Sequence, residues 1–256
     1  MVYSRLPLKD PRTVARDIPG IFDVIFPQLT AGIVAYFNKK STSYKELKAL
    51  PDQSIQASHL NRAMLFEIAF ARGEQLLNGN INANWDDCLE VATRRQQRHF
   101  DANLPETLQE VDKLVADLVG KNLFKMLTEI RKSETNSVLI SSPEIPGYQW
   151  ISSGEGDFSI TDKLIEVKCT NRHFSSADYR QVLMYWLLSY SSAIEKETLE
   201  WKSVLLINPR LNLQVDVPFN DLIKATAAGK SKIEVLELFS FIVGDYTLKA
   251  FSEYKL

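Results

Sequence analysis

At 256 residues, with 45% apolar and 24% charged side chains, the chain is long enough to bury a sizeable core and has the make-up of an ordinary globular protein. A formal net charge of −2 excludes a global basic field of the kind that draws in nucleic acid, so any such contact must use local basic patches. Two cysteines, Cys88 and Cys169, exclude a disulfide framework and four-thiolate iron–sulfur ligation, and His59, His99 and His173 lack zinc-ligand spacing.

The first residues mix charge and proline and carry no signal-peptide apolar core. The longest apolar run, residues 24–37, contains Pro27 and is too short to span a bilayer. A cytoplasmic protein with no membrane partner is the expectation. Residues 1–132 read as a mostly helical N-terminal region, with helices over residues 11–16, 22–38, 58–79, 85–100 and 105–132. The last of these places Leu108, Val111, Val115, Leu118, Leu123, Leu127 and Ile130 near helical spacing, with Gly120 as a point where it is expected to kink. Two weak basic patches stand out: Arg94, Arg95 and Arg98 within about one turn, then Lys121, Lys125, Arg131 and Lys132. Either could meet phosphates, although charge runs on helices are usually solvated faces.

Beyond residue 132 the period changes. Residues 133–256 read as an α/β core with strands at 137–141, 148–152, 201–208 and 213–217, a turn at 143–146 and a short helix at 219–228; residues 233–250 fit either helix or strand. At its centre lies a hairpin. Two β-prone runs, 157–160 and 164–170, flank the turn-forming Thr161-Asp162-Lys163. Period two puts Glu166 and Lys168 on one face and Ile165, Val167 and Cys169 on the other. Antiparallel pairing then lays Asp157 beside the end of the second run that holds Glu166 and Lys168. Two carboxylates and an ammonium around one point suit phosphodiester hydrolysis: hard oxygen ligands for Mg²⁺ or Mn²⁺, and a cation to hold water and offset developing charge. The plainer reading, Glu-x-Lys on a solvated sheet face, stays open beside it. Next, Ser175 with Asp178 three residues on resembles a capping box that opens a buried helix, in which Gln181 and Tyr185, four apart, share a face.

Asp157 followed by Glu166-Val167-Lys168 is similar to the PD-(D/E)XK nuclease superfamily, with Gly156 where the family name has proline. Gln181-x-x-x-Tyr185 on the following helix looks like the fourth motif of its RecB-like and lambda-exonuclease-like branch. The resemblance covers roughly residues 137–217. It implies a restriction-endonuclease-like fold, a mixed sheet flanked by helices, and a metal-dependent nuclease acting on DNA rather than RNA. It implies metal ligation by Asp157, Glu166 and the Val167 carbonyl, water orientation by Lys168, and support from Gln181 and Tyr185. A helix ahead of the sheet supplies another acidic ligand in the superfamily; Glu129 is the first candidate and Glu74, in an Arg-Gly-Glu run, its rival, each of which reads equally as an exposed helix glutamate. The chain has no P-loop motif, so an ATPase or helicase, or a DNA-binding partner protein, is an expected recruiter, as in anti-phage defence or recombination systems. An RNase of the same fold and a non-catalytic scaffolding subunit remain alternatives; such subunits commonly lose a charged member of the trio, and none is missing here.

Overall fold

The computed structural model describes residues 8–17, 20–97, 105–134 and 137–253, with side chains to residue 245 except that of Asp17. Seven helices come first: α1 (Pro11–Asp17), α2 (Ile21–Ile25), α3 (Ala31–Asn38), α4 (Asp52–Gln56), α5 (Arg62–Leu77), α6 (Trp85–Gln96) and α7 (Glu110–Ser133). Strands β1 (Leu139–Ser141), β2 (Glu144–Ile145), β3 (Gly154–Glu155), β4 (Phe158–Ile160) and β5 (Lys163–Val167) follow. Helix α8 (Ser176–Lys196) then crosses to β6 (Ser203–Asn208) and β7 (Leu213–Pro218), and α9 (Phe219–Thr226) and α10 (Lys232–Glu253) close the chain. The architecture is α/β, with a mixed five-stranded sheet in the order β1-β4-β5-β6-β7. Only β5 and β6 run parallel, and they are the pair joined through α8, because a parallel neighbour needs a crossover. The strands β2 and β3 form a separate two-stranded ribbon.

Each face of the sheet has its own core. Leu164 and Leu206 point toward α8 and join Val14, Phe22 and Phe37 from the first helices, Trp186 from α8, and Phe239 from α10. Phe158, Ile165 and Ile207 point the other way, onto Leu123, Leu127 and Ile130 of α7. Residues on both sides of position 132 therefore share these cores. Each fully buried large apolar side chain contributes on the order of 1.5–3 kcal/mol. The Phe70 ring of α5 stacks on Phe158 with centroids 5.3 Å apart, carrying the second core up to the start of β4.

Several elements differ from the sequence expectation, each for a local reason. The single helix expected over residues 22–38 is two, because Pro27 cannot continue a helix and Thr30 caps a new one, accepting from the Ile33 amide. The long helix starts at Glu110 rather than at residue 105, where the Asp112 carboxylate accepts the Gln109 amide. It runs unbroken through Gly120. That glycine serves close approach instead: a Cβ there would lie 2.9 Å from the Ala69 carbonyl oxygen of α5. Residues 148–152 are a tight turn, closed by Tyr148 and Ile151 amides and carbonyls with Gln149 left-handed at φ 51°, and residues 144–145 are a strand rather than a turn. Residues 233–250 are helical, within α10.

Candidate active site

The hairpin forms with its turn at Thr161 and Asp162, Thr161 taking a left-handed φ of 53°. Phe158 pairs with Ile165, so one step further out Asp157 stands opposite Glu166. The Asp157 carboxylate accepts the Val167 amide at 2.7 Å, which locks the two ends of the hairpin together. β5 ends at Val167, earlier than residue 170, yet the Lys168 amide still donates to the Ile207 carbonyl, so Lys168 remains fixed against β6.

Helix α8 brings the remaining groups. It begins where expected, the Asp178 carboxylate accepting both the amide and the hydroxyl of Ser175 at 2.7 Å. One turn in, Gln181 is fully buried and uses both ends of its amide. Its Nε2 donates to Glu166 Oε1 at 2.6 Å and to the Tyr185 hydroxyl at 3.0 Å; its Oε1 accepts from Lys168 Nζ at 3.0 Å. Lys168 Nζ also donates to Glu166 Oε1 at 2.8 Å. The structure thus gathers Asp157, Glu166, Val167, Lys168, Gln181 and Tyr185 into one network. Glu166 is 1% exposed, and its Oε2 is buried with no hydrogen-bond partner.

Two arginines of α1 complete the network, and neither was anticipated. Arg12 Nε donates to the Tyr185 hydroxyl at 2.8 Å and its Nη2 to the Glu155 carbonyl at 3.2 Å, while Arg16 Nη2 donates to Gln181 Oε1 at 3.0 Å. Their four-residue spacing on a short predicted helix put both on one face, the only local signal available. Packing on the site costs the Arg12 guanidinium some solvation, but Tyr185, Glu166 and Asp157 outweigh that and stabilise its charge. Burial, then the Glu166 charge, raise the Tyr185 phenol, keeping it a neutral hydroxyl. Burial first and the facing Glu166 second push Asp157 up to about 7. Lys168 and Arg12 pull it the other way without cancelling the effect. In this poorly solvated corner the charge of Glu166 favours a proton on Asp157, or a cation in its place.

The two proposed extra ligands lie elsewhere in the network of ion pairs. Glu129 is exposed and pairs with Lys132 at 2.7 Å, and Glu74 is held by Arg95 at 2.8 Å. A third acidic residue, Glu67, sits two turns before Glu74 on α5, 3.8 Å from Arg95. Burial pushes the Cys169 thiol up to about 12, with help from the Asp157 and Glu67 charges, so both carboxylates lie within electrostatic reach of that side chain. Of the basic patches, Arg95 turns inward to Glu67 and Glu74, Arg94 pairs with Glu90, Lys121 pairs with Asp117, and Arg98 lies outside the described residues. Among the described residues no group of three or more His, Cys, Asp or Glu side chains could hold a metal ion. The Asp157–Glu166 pair is the acidic centre of the network, and a hard divalent ion there would draw its other ligands from backbone oxygen and water. No helix among the described residues is long and apolar enough to cross a membrane. No protein family, curated protein or solved structure matches the chain.

Proposed function

We propose that the chain is a metal-dependent nuclease, a phosphodiester hydrolase built on a restriction-endonuclease-like core and acting on DNA in preference to RNA. The observation that carries this reading is the convergence of Asp157, Glu166 and Lys168 at the end of β5, with the buried Oε2 of Glu166 lacking any partner. An orphaned carboxylate oxygen costs about 1–3 kcal/mol unless something meets it, and a bound cation is what its charge fits. The order of hairpin, α8 and parallel β6 supports the core assignment, which the motif resemblance suggested.

Asp157, Glu166 and the Val167 carbonyl would hold Mg²⁺ or Mn²⁺. That ion, when bound, supplies Lewis-acid polarisation of a phosphoryl oxygen and lowers the pKa of a coordinated water. Lys168, tied to Glu166 and Gln181, holds an ammonium beside the carboxylates, where it orients the attacking water and offsets charge developing on the phosphate. Gln181 fixes the Glu166 carboxylate and the lysine in one geometry; Tyr185 and Arg12 brace Gln181 from behind. Recruitment by an ATPase, a helicase or a DNA-binding protein, and a role in anti-phage defence or recombination, rest on the motif resemblance alone.

The test is to incubate the purified chain with linear, circular and single-stranded DNA and with RNA, in Mg²⁺, Mn²⁺ or EDTA. Cleavage of DNA that needs a divalent ion is the expected result. Cleavage undiminished in EDTA overturns the metal chemistry, and no cleavage of any substrate leaves the scaffolding reading in its place.

A further inference from the structure

Beyond the end of β5 lies a second feature that the proposed chemistry does not use. A cavity of about 310 Å³ is lined by Arg62, Phe66, Cys169, Thr170, Arg172 and Arg210. We propose that this arginine-lined cavity anchors a phosphate group of the nucleic-acid strand, holding the strand across the end of β5 while the carboxylates on the strand's other face act on it. The proposal rests on the reading of the chain as a nuclease and names where its substrate is gripped.

The lining is built for an anion. Arg210 is 1% exposed, and its Nε is buried without an acceptor. One of its terminal nitrogens is held by Asp52, and its guanidinium lies over the Phe66 ring, 5.7 Å from the centroid. Arg210 is therefore fixed in a poorly solvated wall, its charge balanced in part by Asp52 and its Nε–H left for a further acceptor. Arg62 and Arg172 stand at the rim, exposed, and neither joins an ion pair among the described residues. Their planar forks suit bidentate contact with phosphate oxygens. The rim also holds the start of α5, sixteen residues long, whose N-terminal dipole favours negative charge.

The acidic residues nearby are already committed. Asp52 is tied to Arg210, and Glu67 lies 3.8 Å from Arg95. The rim segment is also held in shape: Asn208 donates to the Thr170 carbonyl at 3.0 Å, and the Thr170 hydroxyl donates to the Arg172 carbonyl at 2.8 Å. Cys169 faces the cavity while its neighbour Lys168 faces the carboxylates, because successive side chains of an extended strand point to opposite sides. From Lys168 to Arg172 the chain can extend at most about 14 Å. At a rise of about 3.4 Å per nucleotide that is some four steps of a bound strand, so one strand can meet both features.

The experiment is a titration of a labelled single-stranded oligonucleotide in EDTA, where nothing is cut, over a series of salt concentrations. The double variant Arg62→Ala, Arg172→Ala should bind at least tenfold more weakly, and the slope of log affinity against log salt should flatten by about one for each arginine removed. Both residues are exposed, so thermal unfolding and Mn²⁺ binding should stay as in the wild type. Inorganic phosphate serves as competitor: displacement from the wild type that is lost in the variant assigns the cavity to a terminal phosphate, whereas no displacement assigns it to a backbone phosphodiester. If the wild type binds and cleaves while the variant binds with unchanged affinity and slope, the cavity assignment falls and the nuclease reading stands. A wild type that neither binds nor cleaves nucleic acid removes both.

Discussion

Gln181 donates to Oε1 of Glu166 at 2.6 Å, while Oε2 of the same carboxylate is buried with no partner. One oxygen is thus held in place, and the proposed metal would meet the other. Removing either carboxylate, as in Asp157→Ala or Glu166→Ala, should abolish cleavage and weaken Mn²⁺ binding measured by calorimetry. Full activity in either variant would show that the metal is held by other groups.

Lys168 separates an enzyme from a scaffold. Its ammonium donates to Glu166 on its own strand and to Gln181 on α8, whose amide keeps its hydrogen bonds to Glu166 and Tyr185 without it. In Lys168→Ala both carboxylates remain and the neighbouring positive charge is gone, so Mn²⁺ should bind at least as tightly as in the wild type. The single-turnover rate should drop about 10²-fold or more, the scale for deleting one preorganised electrostatic group. Lys168→Arg should rescue poorly, since a broad guanidinium does not replace a compact charge. A variant that cleaves at the wild-type rate would remove Lys168 from the chemistry.

Gln181 stands at the centre of the hydrogen-bond network, one turn before Tyr185 on α8. It is fully buried and has Glu166, Tyr185, Lys168 and Arg16 as partners. Gln181→Ala should therefore lower unfolding stability by about 1–3 kcal/mol through the groups left unpaired. Activity should fall as well, beyond what the folded fraction explains. Loss of stability with full specific activity in the folded fraction would confine Gln181 to packing.

Asp157 gives the metal-free protein a pH signature. Burial and Glu166 move it from the ordinary 3.8 to about 7, so the folded state keeps a proton that the unfolded chain releases over that window. Stability falls with rising pH wherever the folded state binds more protons. In EDTA the urea midpoint should accordingly decline between about pH 4 and pH 7, and the decline should be smaller in Asp157→Asn. Saturating Mg²⁺ should restore the lost stability at neutral pH. A wild type and Asp157→Asn variant with parallel profiles would show that Asp157 ionises at its ordinary value.

Gly120 tests the helical layer independently of any function. Alanine would gain about 1 kcal/mol in helix propensity. Its Cβ would however meet the Ala69 carbonyl at 2.9 Å and the Arg72 side chain at 3.0 Å, and backbone on a packed helix cannot step aside. Overpacking costs about 1–3 kcal/mol. The clash should win, giving a lower urea midpoint at unchanged m-value; a stabilised Gly120→Ala would mean that α5 and α7 can separate.

What the sequence made legible was local. The hairpin, the Ser175–Asp178 cap and the facing of Glu166 and Lys168 all follow from spacings of a few residues, and the structure has them. The spacing of Gln181 and Tyr185 likewise placed both on one face of α8. Arg12 and Arg16 were hidden because their partners lie 173 and 165 residues away, and no period links such positions. Glu67 was hidden for the same reason: its neighbourhood depends on how α5 packs on the sheet, through Phe70 and Phe158. The helix at residues 105–109 was misjudged because apolar spacing does not see which residue caps the start.

The docking of α1 on α8 has a consequence for how this molecule is made. Val14 and Ala15 are buried, and Arg12 donates to the Glu155 carbonyl and to the Tyr185 hydroxyl, the second of them 173 residues further along the chain. At about 5–20 residues per second a ribosome needs roughly 10–35 s to travel that distance. Throughout that interval the first helix has been synthesised but α8, the helix it packs on, has not. The braced form of the site therefore cannot exist on a growing chain before α8 has emerged, however long its two arginines have been in place.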